Sequence, residues 1–465
     1  MKRNLFIIAY LVFFSIFFIA GQAFGSRVLD DFSGTYIDGQ RWNDLEEVRE
    51  ISNGKLHLNI RGSGEQVTTR IDPVDKTDYL QAKILIENES YMDQTGGHTR
   101  LIFIPYNESR GPGSGEDYDG LLGHTWVTNR IWMDENRNLK ATAGVFRFDD
   151  PDANTGTYLL DQDFSTTINF DTEYILSIEY TGSTLIFKCN EETINYTVPT
   201  TVYPSFYDTR SIRSRVYSGG SGYIKTKIDD VYIVKGGPLY DDFETALIDA
   251  SKWEHLTLFR EISGGKLRMN VQADGERRGT KLKSSDQTTN YFEAKVVFES
   301  GSWMFSGATG RARIGGNYYN DSRGPGSGQE YNGFEGDVYV INRIVLNEND
   351  NLKASALVWR HDDADWVGSG TTLFYHEFTT PISYHTEYTL SIELRGKTFI
   401  FKCIDETYTY DVTTPMYEAY NEYRWLEARI WADPGESGYM KTTFDDVCLK
   451  KAFNIAPASL LLLNN

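Results

Sequence analysis

The chain carries one long pattern twice. Asp30-Asp31-Phe32 returns as Asp241-Asp242-Phe243, Trp42 as Trp253, and Arg49-Glu50-Ile51-Ser52 as Arg260-Glu261-Ile262-Ser263, each 211 residues on. Ser109-Arg110-Gly111-Pro112-Gly113-Ser114-Gly115 recurs letter for letter from Ser322 to Gly328, and Asp229-Asp230-Val231 recurs as Asp445-Asp446-Val447. The offset drifts only from 211 to 216. Solenoid repeats and propeller blades run to about 20–50 residues, so a period near 210 reports a whole domain duplicated, each copy large enough for its own core. The expected division is 26–235 for the first copy and 236–452 for the second, with a tail over 453–465.

The first residues carry Lys2 and Arg3, an apolar run from Leu5 to Ala20 and the small-residue site Ala23-Phe24-Gly25. This is the layout of a secretory signal over 1–25, with an uncleaved anchor as the rival reading. With 66 acidic against 46 basic residues the formal charge is -20, spread along both copies. That balance argues against nucleic acid as a partner, and no second apolar run is long enough to cross a membrane. Cys189 and Cys403 fill the same repeat position, which suits small buried apolar groups better than a disulfide framework; a Cys403–Cys448 bridge stays open.

Strand signals dominate. Ile175 to Tyr180 and Thr184 to Lys188 alternate around Thr181-Gly182-Ser183, and the second copy repeats that hairpin from Thr389 to Lys402. Further alternating runs are Lys55 to Ile60, Leu80 to Ile86, Leu139 to Phe148 and Tyr223 to Ile233. No stretch after the leader keeps helical periodicity for three turns, so each copy reads as an all-β sandwich. The Asp-Asp-Phe opening, the tryptophan beyond it, the Gly54-Lys55-Leu56-His57-Leu58 strand, the Tyr-x-Leu-Ser-Ile-Glu hairpin of both copies and the closing Ile-Asp-Asp-Val strand of the first together resemble the concanavalin A-like lectin and glucanase superfamily, the LamG-like jelly rolls. The resemblance implies two tandem jelly-roll sandwiches, first and last strands meeting at one edge, a concave face for sugars, and structural calcium near the paired edge.

Glucanases of that superfamily set their carboxylates on one strand as Glu-x-Asp-x-Glu or Glu-x-Asp-x-x-Glu, one to give a proton and one to attack or activate water. Here Glu335-Gly336-Asp337 lacks the third acid, and the first copy has Leu122, His124 and Trp126 at those places. His124 and His361 have no second ligand at metal spacing. Three other clusters could bind. The glycine loops place Tyr106, Arg110 and Tyr118 in one copy and Tyr319, Arg323 and Tyr331 in the other, where tyrosine faces and arginine forks suit a sugar or else tie down a turn. Arg147 with Asp149, and Trp359 with Arg360 and Asp362, offer the same chemistry or a surface ion pair. Asp30, Asp31, Asp229 and Asp230, repeated as Asp241, Asp242, Asp445 and Asp446, would meet if first and last strands pair, and could supply the about six to eight oxygens calcium needs, or only cap turns. The expected function is a secreted or periplasmic, non-catalytic protein that binds a polysaccharide at two similar faces. The alternatives are a glycosidase or lyase working from Glu335 and Asp337, and a structural adhesion protein.

Overall fold

The computed structural model describes residues 28–71, 78–107, 125–149, 155–198, 202–204, 210–285, 289–320, 336–363, 369–413, 416–418 and 424–450. The leader and the tail lie outside them. Among the described residues the secondary structure is antiparallel strand throughout, and no helix is long and apolar enough to cross a membrane.

The expected hairpin forms from Tyr174–Tyr180 and Thr184–Cys189, and its repeat from Tyr388–Arg395 and Thr398–Cys403. Along Tyr79–Ile86 every second side chain is buried, so Leu80, Ala82, Ile84 and Ile86 line one face. Such strands build two sheets in each half. In the first half, six strands run in the order Gly156–Asp163, Leu139–Phe148, Thr125–Met133, Gly97–Phe103, Ser211–Val216 and Gln66–Arg70. The second half repeats that order with Gly370–Glu377, Leu352–His361, Val338–Leu346, Thr309–Asn320, Trp425–Trp431 and Arg278–Lys283. Each of these sheets packs one face on a core backed by a second antiparallel sheet, which gives a jelly-roll sandwich. The three cysteines are free and buried, and burial pushes the Cys189 thiol up to about 11 and that of Cys403 to about 12.

The cores do not follow the repeat boundary. One draws continuously on Ile51 to Leu256 and therefore includes Phe243, Ile248 and Trp253, the opening segment of the second copy. The other runs from Leu267 to Val447 and takes in Phe32, Ile37 and Trp42, the opening segment of the first. Asp30 pairs with Val447 at one end, and Val231 bridges Asp241 at the other. The chain is therefore closed on itself: its first strand completes its last sandwich. Asp30 Oδ1 accepts from the Phe32 amide and Oδ2 from Trp42 Nε1 at 2.7 Å, and Asp241 repeats both bonds with Phe243 and Trp253. These turns hold Phe32 and Phe243 at φ 48° and 54°, a left-handed conformation rare for a bulky residue, and aim each ring at its tryptophan.

The crossing-over is fastened where Glu47–Ser52 pairs with Leu258–Ser263, making the backing sheets of both halves continuous. The contacts there come in symmetric pairs. Arg49 Nε donates to Leu256 O and Arg260 Nε to Leu45 O, each at 2.7 Å. Glu50 accepts from Arg268 at 2.7 Å and Asn270 at 2.6 Å, while its counterpart Glu261 accepts from the Tyr223 hydroxyl.

Candidate functional site: the open faces of the two sandwiches

Several expected site residues fall outside the described residues: Arg110, Tyr118, His124, Arg323, Tyr331 and Glu335. Tyr106 and Tyr319 lie on the strands Pro105–Asn107 and Thr309–Asn320. Arg147 Nε donates to Asp149 Oδ1 at 2.8 Å while Thr157 donates to the other oxygen at 2.6 Å, and Arg360, Asp362 and Thr371 repeat this with the same two distances. Both arginines are thus spent on neighbours two residues away at an exposed strand end. Asp337 is fully buried, and its carbonyl accepts from the His361 amide. His361 is buried too, and its imidazole is pushed down to about 4 by that burial.

The eight aspartates of the strand ends have protein partners. Lys55 bonds Asp229 at 2.9 Å and Glu173 at 2.6 Å, and Lys83 reaches Asp230. Lys266 bonds Asp445 at 3.3 Å, and Lys295 bonds Asp446 and Glu387, each at 2.8 Å. Asp31 accepts from Ser33, Asp242 from the Glu244 amide, and Asp30 and Asp241 hold the tryptophans. Ammonium groups thus hold Asp229, Asp230, Asp445 and Asp446. Among the described residues no group of three or more His, Cys, Asp or Glu side chains is placed to hold a metal.

The cluster that the pairing register does assemble is different. On the six-stranded sheet, the face turned away from the core carries Arg213, Arg100 and Arg130 directly opposite one another on three adjacent strands. Thr68 extends the row on one side and Thr142 on the other. Opposed side chains on such a ladder stand about 5 Å apart, so the three guanidinium groups crowd together. Arg130 bonds Asp161 at 2.8 Å and Arg213 bonds Thr68 at 3.0 Å, but among the described residues no carboxylate pairs with Arg100, Arg213 or Arg215. Arg100 is only 6% exposed, stacks 4.3 Å over the Trp126 ring, and leaves Nε and Nη2 without an acceptor. His98, fully buried and opposite Arg215, has no partner at either ring nitrogen. Burial and the neighbouring arginines lower the Arg100 guanidinium to about 9 and that of Arg213 to about 10. Burial, reinforced by the same cations, holds His98 well below the usual imidazole range.

The second sandwich rebuilds this row with one charge reversed. Lys281, Glu427, Arg313 and Arg343 stand opposite one another across four strands, Glu427 occupying the place of Arg213. Arg313 Nε bonds Glu427 at 2.6 Å, and both are almost fully buried. Arg343 donates to Ser355 at 3.0 Å. Aromatic rings flank the row: Tyr339 stacks on Trp425 at 5.3 Å, and Trp359 meets His361 at 4.5 Å. Glycine permits this platform, because a Cβ at Gly315 would lie 2.5 Å from the Trp425 ring and one at Gly370 1.8 Å from Trp359. Of the expected site residues, Trp359 alone joins this assembly among those described.

Neither a protein-family model nor a curated protein matches the sequence. Solved structures to which the chain is similar include a carbohydrate-binding module from Bacillus subtilis (13% identity, TM-score 0.22, covering 38% of this chain and 84% of that one). An alginate lyase from Chlorella virus matches at 13% identity and TM-score 0.26, covering 41% and 86%. Domains LG4-5 of the mouse laminin alpha1 chain match at 7% identity and TM-score 0.25, covering 81% and 83%. At these TM-scores the likenesses carry no argument about what this chain does.

Proposed function

We propose that the protein is exported and binds a polysaccharide without cleaving it, through the outward faces of the six-stranded sheets of its two sandwiches. The observation that carries this reading is the pairing, on both faces, of aromatic rings with guanidinium groups. Trp126 lies under Arg100, and Trp425 lies 5.1 Å from Arg313 beside Tyr339. Flat rings stack on sugar faces and planar donor forks bond hydroxyl and acidic groups, which is the usual make-up of a polyhydroxyl site. Two such faces on one chain would raise the effective concentration for a repeating polymer. The leader-like opening supports export.

The test is a panel of immobilised polysaccharides probed with the intact secreted chain, with calcium and with a chelator, while the soluble fraction is assayed for released oligosaccharide. Retention on at least one polysaccharide with no product released is the expected result. Silence across the panel by a folded chain overturns glycan binding; released product overturns the non-catalytic reading; loss of retention in chelator would place calcium in the site.

A further inference from the structure

The two faces differ in the charge they offer, and the difference identifies the chemistry of one ligand. Three arginines opposed on neighbouring strands repel one another, and like charges so placed destabilise a sheet. The second sandwich relieves its row with Glu427, buried between Arg313 and Lys281. The first sandwich has Arg213 at that place. Its central Arg100 keeps Nε and Nη2 unpaired, and on the same face His98, opposite Arg215, leaves both ring nitrogens unpaired; an indole nitrogen without an acceptor is common to both faces, at Trp126 and Trp425, so the contrast lies in the central arginine. Buried donors without acceptors cost free energy, and a chain of net charge -20 has abundant acid with which to satisfy them. Among the described residues only Arg130 of the row has such a partner, Asp161; other acids serve the lysines of the strand ends and the junction between the sandwiches.

We propose that the outward face of the first sandwich's six-stranded sheet is an anion-recognising subsite, in which Arg213, Arg100 and Arg130 take the carboxylate or sulfate groups of an acidic polysaccharide while Trp126 backs the row. This deepens the glycan-binding reading and rests on it. The planar forks of Arg100 and Arg213 suit bidentate capture of such oxyanions, and partial burial strengthens each charge-assisted bond. Nucleic acid is the poorer occupant, because the net charge of -20 opposes a phosphate backbone.

The experiment measures binding of the intact chain to a polyuronate, a sulfated galactan, an uncharged β-glucan, polyglutamate and single-stranded DNA, at low and at physiological salt. Arg213→Glu, which installs the residue of the second sandwich, is compared with Arg213→Lys and Arg100→Met, each checked for cooperative unfolding. The expected result is binding to the polyuronate or the sulfated galactan, weakened by about tenfold or more in Arg213→Glu and Arg100→Met, retained in large part by Arg213→Lys, and reduced by salt. Preference between the first two polymers assigns carboxylate or sulfate. Binding to the β-glucan alone, indifferent to Arg213→Glu, overturns the anion subsite and leaves the glycan reading standing. Equal binding to polyglutamate or DNA overturns recognition of a sugar acid in favour of bare charge. Binding to none of them, by a chain that unfolds cooperatively, overturns both.

Discussion

The two outward faces share strand order, register and the arginine pairs Arg100/Arg313 and Arg130/Arg343, yet Arg213 in one and Glu427 in the other give equivalent arginines opposite roles. In the second sandwich Arg313 is a structural cation, bonded to a buried carboxylate at 2.6 Å. In the first, Arg100 occupies the same ladder position with no carboxylate and with two nitrogens unpaired. A buried charge that lacks a partner in the free protein weakens the fold, and such a group persists where a ligand supplies the partner. The carboxylate at one register position therefore separates a row whose central arginine is paired from one whose central arginine is not.

The largest effects should come from what the two halves have in common. Trp42→Ala and Trp253→Ala each empty a fully buried indole site and should each cost about 3–5 kcal/mol in chemical denaturation. Because the first tryptophan sits in the second core, hydrogen exchange in Trp42→Ala should rise first over 267–447, and in Trp253→Ala over 51–256. The reverse assignment would break the exchange of opening segments. The next effects divide the faces. Arg313→Met strands the buried Glu427 carboxylate and should destabilise by about 3–5 kcal/mol, whereas Arg100→Met removes an unpaired charge and should stabilise by about 1 kcal/mol. Loss of stability in both would show that Arg100 is as structural as its counterpart.

The smallest effect again treats the halves alike. Glu192 accepts from the Ser165 and Thr166 amides and Glu406 from those of Thr379 and Thr380, and these bonds hold both carboxyls down at about 2. A depressed folded value means the contribution is present above the ordinary carboxylate range, near pH 4.5, and is lost as pH falls towards about 2. Glu192→Gln and Glu406→Gln should each flatten the decline in melting temperature over that window by a similar small amount, read by differential scanning fluorimetry.

Much of the fold was legible because strands announce themselves by alternation. The hairpin at Gly182, the Tyr79–Ile86 strand and the duplication need no tertiary information. The exchange of opening segments was not legible, and for a physical reason. Both copies carry the same Asp-Asp-Phe and tryptophan, so either sandwich can accept either segment, and sequence identity cannot choose. The choice is local: Val234-Lys235-Gly236-Gly237-Pro238 makes a tight turn, with the Gly237 amide bonded to Val234 O at 3.0 Å and Gly236 at φ 67°. That turn folds Asp241 straight back on Val231 and leaves the first segment for the last strand. The arginine row was missed for a related reason. His98-x-Arg100, Trp126-x-Thr128-x-Arg130 and Arg213-x-Arg215 each alternate correctly for one face, but only the register of three strands shows that they form a line.

The most direct test of the account is the affinity of the intact chain for an acidic oligosaccharide, compared between the native protein and Arg213→Glu by titration calorimetry. The expected result is a loss of about tenfold or more while binding to the uncharged control is unchanged and the unfolding midpoint stays the same or rises. An affinity equal to that of the native protein would contradict it, and would return the first face to the structural role of the second.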